Sequence, residues 1–189
     1  MKKMIAITLA LAMMMTMLAA CGSSGGTEET TTQTTVETTV PAVTVEGTLE
    51  ELLNKIVEEQ PVEFSGAVMP IDLTDTTEDG LYSIKYYTGL DSADEITEAA
   101  AFEPMMGSIA FSMVMVRVNS EVEPQSVAQA MKDGIDPRKW ICVQADDVLA
   151  AGYGDVVMYI MLDSGLELTA QSFVDAFQKV VGGELDFVI

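Results

Sequence analysis

The chain has 189 residues, a formal charge of −21 and no histidine. This balance excludes nucleic acid as a partner, because phosphates are neutralised by Lys and Arg, and it excludes a polybasic contact with anionic lipid. The missing histidine removes Ser–His and Cys–His nucleophilic pairs and most zinc sites, while the length suits one domain.

Lys2 and Lys3 give the chain a positive start, and Met4 to Met17 is almost wholly apolar. Leu18-Ala19-Ala20-Cys21 then closes the segment. This is the pattern of a secretory signal that ends in a lipobox. The apolar stretch is shorter than the roughly 20 residues of a bilayer span. Residues 1–20 are therefore expected to be a lipoprotein signal peptide, and Cys21 the site of lipidation. A diacylglyceryl group on its sulfur, with palmitate-type chains, converts the membrane reading from spanning to anchored. Two acyl chains hold stably where one holds weakly. The expected location is the extracytoplasmic face of the cell membrane, with the lipid as the membrane contact.

Residues 21–47 read as the acylated cysteine and a flexible tether rich in Thr, Gly and Ser. Gly22–Gly26 and the threonines from Thr30 to Thr39 carry few large apolar groups, so they build no core. A coil of about 26 residues spans roughly 25–30 Å.

A single α+β domain is expected over residues 48–189. Thr48 and Glu51 form a capping box. Leu49, Leu52, Leu53, Ile56 and Val57 then share one helical face, and Pro61 closes the helix. Residues 62–74, broken by Gly66 and Pro70, predict an irregular extended segment. A short helix is expected from about Thr77 to Tyr86, ending at Gly89, and a strand from Ile96 to Glu103. Ile109 to Val118 alternates, and it is apolar on both faces apart from Arg117, as a central strand would be. Pro124 opens a helix with Val127, Ala130 and Met131 on its core side. Residues 147–152 and 156–162 predict a hairpin around Tyr153-Gly154-Asp155. A last helix runs from about Thr169 to Val181, stopped by Gly182-Gly183. The order implies an antiparallel sheet of about four strands with helices packed against it, a two-layer sandwich.

Three segments carry a resemblance. They are Glu103-Pro104-Met105-Met106-Gly107-Ser108, Ile135-Asp136-Pro137-Arg138-Lys139-Trp140-Ile141-Cys142-Val143, and Gly154-Asp155-Val156-Val157-Met158 with the closing helix. Over residues 48–183 or so the chain resembles the family called domain of unknown function 4358, found in secreted lipoproteins of Gram-positive bacteria. The resemblance implies an extracytoplasmic α+β domain and brings no catalytic residues with it.

Several groups invite a chemical reading. With Cys21 acylated, Cys142 has no disulfide partner. Its apolar surroundings predict a small buried hydrophobe, with a thiol activated by Arg138 and Lys139 as the alternative. Residues 75–83 place oxygen groups around Gly80 as a calcium loop does, but Tyr86 stands where a bidentate glutamate is needed. A polar loop capping a helix is the reading preferred. Glu121 with Glu123, and Asp146 with Asp147, are carboxylate pairs of the kind that acid–base catalysis uses when one member is desolvated. Ordinary solvated charge is the reading preferred for both. Met105 and Met106 could coordinate copper(I), but no histidine or cysteine lies nearby.

Arg138, Lys139 and Trp140 are the most informative cluster. Two cations beside the single tryptophan of an acidic chain suit recognition of a carboxylate, a phosphate or an aromatic ring. Glu103 and Met105 are expected close by, because both segments interrupt regular structure. No cofactor, metal or catalytic residue is assigned. The expected function is a non-enzymatic, lipid-anchored module that binds another surface protein or a cell-wall component. The alternative is a cell-surface hydrolase or transferase that uses carboxylates without histidine.

Overall fold

A computed structural model describes residues 43–189; the expected signal peptide, Cys21 and the tether as far as residue 42 lie outside the described residues. Among the described residues no helix is long and apolar enough to cross a membrane.

The elements in chain order are α1 (Leu49–Glu59), β1 (Gly66–Pro70), α2 (Glu78–Thr88), β2 (Ile96–Pro104), β3 (Phe111–Val118), α3 (Pro124–Gly134), β4 (Asp147–Tyr153), β5 (Val156–Leu162), α4 (Ala170–Val181) and β6 (Phe187–Val188). The strands form one open six-stranded sheet in the order β1-β2-β3-β5-β4-β6, with every pairing antiparallel.

The expected α+β class holds, but the strand count is six rather than about four. The first additional strand is β1, in the segment expected to be irregular. Its Gly66 and Pro70 read as breakers, yet β1 is an edge strand, where a proline without an N–H is tolerated. Gly66 fits because a methyl group there would run into the Phe102 ring. The second, β6, has only two residues, too few to show a period.

The layering also differs from the two-layer expectation, because helices cover both faces of the sheet. On one face, Leu49, Leu52, Leu53 and Ile56 of α1 and Phe173, Val174 and Phe177 of α4 pack on Phe111, Met113, Met115, Met158, Ile160 and Leu162. On the other, Ile84 of α2 and Val127, Ala128 and Met131 of α3 pack on Val114, Val116, Val157, Tyr159 and Met161. Residues one apart on a strand point to opposite faces. A strand buried on both sides must therefore be apolar at every position. That is why β5 reads as a continuous apolar run and all seven of its residues are buried.

Local sequence explains the helix ends. The Thr48 capping box is formed, with Glu51 returning to the Thr48 N–H. Thr77 caps α2 by accepting from Gly80 N–H, and Thr169 caps α4 by accepting from Ser172 N–H. Gly154, at φ +57, takes the first place of the two-residue β4–β5 turn, where glycine is favoured.

Two features position the site. The carboxyl ends of α2 and α3 meet at Gly89 and Gly134, where a methyl group on Gly134 would overlap the Gly89 carbonyl. This brings the chain that leaves α3 beside the last turn of α2. At the far end of β3, Arg117 draws residues 43–49 onto the sheet. Its guanidinium donates to the carbonyls of Val45 (3.0 Å) and Gly47 (2.8 Å). It also donates to Glu98 (3.0 Å) and Asp155 (2.8 Å). Residues 43–47 look like tether by composition, but here they are held, with Val45 buried.

Candidate functional site

Glu103 ends β2, and Ser112 stands opposite it near the start of β3, continuing the register that pairs Phe102 with Met113. Both side chains point to the α2/α3 face. The Ser112 hydroxyl donates to Glu103 Oε1 at 2.7 Å. Lys139 descends from the loop after α3, its ammonium 2.5 Å from the same oxygen and 3.1 Å from Ser112 Oγ. The loop is steadied by Asp136, whose side chain accepts from Arg138 N–H, and by the bond from Ala145 N–H to the Pro137 carbonyl.

Aromatic rings close the site. Lys139 Nζ lies 4.5 Å from the centre of the Tyr86 ring, 5.3 Å from Tyr87 and 5.5 Å from Trp140. A cation over ring faces gains from their quadrupoles, more so when it is desolvated. The Lys139 side chain is only 4% exposed and that of Glu103 11%. Burial pulls the Lys139 ammonium below its ordinary value, and the charge and hydrogen bond of Glu103 oppose that shift. Tyr86 is pushed up to about 12, first by burial and then by the Glu103 charge. Tyr87 is raised for the same two reasons.

A serine 3.1 Å from a lysine is also the pairing of Ser–Lys acyl transfer. Here the lysine is engaged as a cation by Glu103, the serine donates its proton to the same carboxylate, and Ser112 is fully buried. Activation needs a free amine and an exposed oxygen, so this geometry makes a buried hub. Such a pair stands only if its remaining polar atoms are also bonded. Among the described residues, no buried side-chain polar atom lacks a partner.

Several large apolar side chains on the segments around this hub are exposed. Met105 is 75% exposed, Met106 60%, Ile141 79% and Tyr82 69%. Each lies within a few residues of Glu103, Trp140 or Tyr86, and Tyr82 stacks on Tyr86 with ring centres 6.0 Å apart. Beside them, Arg138, Trp140, Cys142, Val143, Gln144 and Asp163 line a cavity of about 410 Å³.

The structure therefore brings Lys139, Glu103 and Trp140 together, with Met105 on the adjoining turn. Arg138 points outward instead, with its nearest carboxylate, Asp136, 3.9 Å away. Lys139 is not the surface cation that its neighbours in sequence suggest, because it is spent on Glu103. Cys142 is exposed, against the expectation of a buried hydrophobe. Trp140 takes the inward position, and the chain then turns out at Ile141 and Cys142, the latter at φ +66. Cys21 lies outside the described residues.

The carboxylate pairs do not converge. Asp146 is exposed and accepts from both the N–H and the hydroxyl of Ser164, which holds it below its usual range. Asp147 accepts from Ala170 N–H at the start of α4. Glu121 is exposed, and Glu123 precedes α3 without capping it. Asp75 accepts from Thr77 N–H, so the calcium-like segment is folded as the approach to α2.

Sequence reading missed Ser112, Tyr86 and Tyr87. Ser112 carried a faint signal as the one hydroxyl in an otherwise apolar strand start. Comparison with known proteins gives no family model, no curated protein and no solved structure that matches this chain.

Proposed function

We propose that this chain is a lipid-anchored, extracytoplasmic binding module without enzymatic activity, and that it docks a surface protein or cell-wall component through the apolar surface around Lys139. The observation that carries this reading is that Met105, Met106, Ile141 and Tyr82 are all well exposed on the three segments that meet at the buried Lys139–Glu103 pair. Exposed apolar groups scattered singly need no explanation, whereas a gathered set marks an interaction surface. Interface cores are rich in Met and aromatic residues.

Polarity within the domain supports the same reading. The N-terminal segment enters at Arg117, and the apolar surface begins near Ser112, at the other end of β3. A strand rises about 3.3 Å per residue, so the entry point of the chain and this surface are separated by roughly 15–20 Å along β3. The lipobox at residues 18–21 supports the anchor itself, and the resemblance to domain of unknown function 4358 supports an extracytoplasmic setting without assigning a ligand.

The test is photo-crosslinking on intact cells, with the photoreactive residue at position 106 or, as control, at Asn54 on the exposed side of α1. A discrete product from position 106 alone, lost when Ile141→Asp is added, is expected. Equal yields from both positions refute the surface. Separately, Cys21→Ser is expected to release the protein or leave it unprocessed, and persistent acylation of that variant refutes the anchor.

A further inference from the structure

On the α1/α4 side of the sheet, three connections meet beyond the Met105–Met106 turn. Pro61, Glu63 and Phe64 come from the link between α1 and β1, Ile109 from the link between β2 and β3, and Leu166, Glu167 and Leu168 from the link between β5 and α4. Together they line a groove of about 460 Å³. Phe64 forms an apolar wall that the core holds in place, its ring edge-on to Phe111 at 5.2 Å and stacked near Phe102 at 6.3 Å. Phe64, Ile109, Leu166 and Leu168 are each only partly buried.

The charges of the lining are of one sign. Glu63 and Glu167 are its only ionisable groups. Both are exposed, and neither joins an ion pair among the described residues. Glu167 closes the short helical turn Ser164–Leu166 in a left-handed conformation, φ +58.

We infer that this groove receives a peptide segment in which apolar side chains alternate with lysine or arginine. The apolar wall takes the hydrophobic side chains, and the two unpaired carboxylates take the cations. A chain of charge −21 also steers cations toward itself and turns anions away. Every lining residue is exposed or only partly buried, so a small ligand would leave much of its surface in water, which pocket ligands do not do. A chain segment, which can make contacts beyond the groove, has no such difficulty. This inference goes beyond the function proposed above: the groove is a separate surface, and filling it requires neither the lipid nor Met105 and Met106.

The test measures binding of a blocked, fluorescein-labelled hexapeptide that alternates leucine and lysine. The full chain is held in neutral bicelles, which accept a lipid anchor without attracting cations. Two control peptides replace every lysine by glutamate or every leucine by glycine. The leucine–lysine peptide alone is expected to bind. The Glu63→Gln/Glu167→Gln double variant, with both sites exposed and the fold intact by thermal unfolding, is expected to bind about fivefold more weakly, the size that two exposed ion pairs supply. Glu63→Lys/Glu167→Lys is expected to reverse the preference toward the glutamate peptide. Equal binding of the glycine–lysine peptide, no binding of the leucine–lysine peptide, or undiminished affinity in the glutamine variant would each overturn the inference.

Discussion

Arg117 and Asp155 are joined by a 2.8 Å ion pair, and the second oxygen of Asp155 accepts the Val45 N–H, also at 2.8 Å. Glu98 repeats the pattern, taking Arg117 Nε with one oxygen and the first N–H of α1, that of Leu49, with the other. Burial works against the Arg117 charge, and the bonds to Asp155 and Glu98 outweigh it, so its proton is held more tightly than usual. One guanidinium thus closes the entrance of the domain by binding carbonyls directly and amides through two carboxylates.

Arg117→Met should unfasten this entrance. Removing one partner of a buried pair costs about 3–5 kcal/mol. Arg117 is partly exposed, so about 2–4 kcal/mol is expected from urea unfolding after discounting for solvent. Limited proteolysis should then cut within residues 43–48, which the intact domain protects. Unchanged cleavage would show that α1 holds the segment without Arg117.

Lys139→Met should be as costly as Glu103→Gln, about 3–5 kcal/mol each, because each strands the other group in a buried place. The double variant Lys139→Met/Glu103→Gln should recover much of the loss, since no uncompensated charge remains. A double-mutant cycle in chemical denaturation measures the coupling. Additive losses would mean that the two side chains act independently.

Alkaline stability should fall between pH 10 and about 12. Tyr86 and Tyr159 are each raised to about 12 by burial foremost, and Tyr87 is raised from 10.0. In that window the unfolded chain has lost protons that the folded chain keeps, so stability decreases as pH rises. Lys139 acts in the opposite sense below 10.5, because its lowered folded value lets the native state release a proton that the unfolded chain still holds. Three tyrosines against one lysine set the net direction. The tyrosinate absorbance of Tyr86, Tyr87 and Tyr159 should therefore appear with unfolding rather than before it. Ionisation of these three near pH 10 in a still-folded chain, read against the corresponding tyrosine-to-phenylalanine variants, would contradict this.

Cys142→Gly should stabilise the domain by about 1 kcal/mol, because a left-handed conformation suits glycine and strains a residue with a Cβ. Before substitution, the exposed thiol should react with a disulfide reagent in the native protein. Thermal unfolding checks the first outcome and thiol titration the second.

Much of the fold was legible locally. Thr48 with Glu51 marked α1 because a cap and its reciprocal acid lie within one turn, and the doubly apolar pattern of β3 announced a central strand. That same pattern already contradicted a two-layer arrangement, since a strand apolar on both sides needs cover on both. The candidate site was legible only in part. Lys139 and Trp140 stood out by type, but Glu103 is 36 residues away, and no local period links them. Strand pairing places Ser112 against Glu103, and the crossing of α2 and α3 supplies Tyr86 and Tyr87. Cys142 was misread because the apolar run from Trp140 to Val143 predicts burial, and a turn with no local signal carries Ile141 and Cys142 outward.

The two rims of the sheet have a consequence for the protein at high concentration. An unpaired strand edge invites neighbouring copies to add on, and proteins blunt it with short strands or proline. Here one rim is five residues ending in Pro70 and the other is two residues long. Copies concentrated side by side would find little free backbone to zip together, so they can stand densely packed without polymerising.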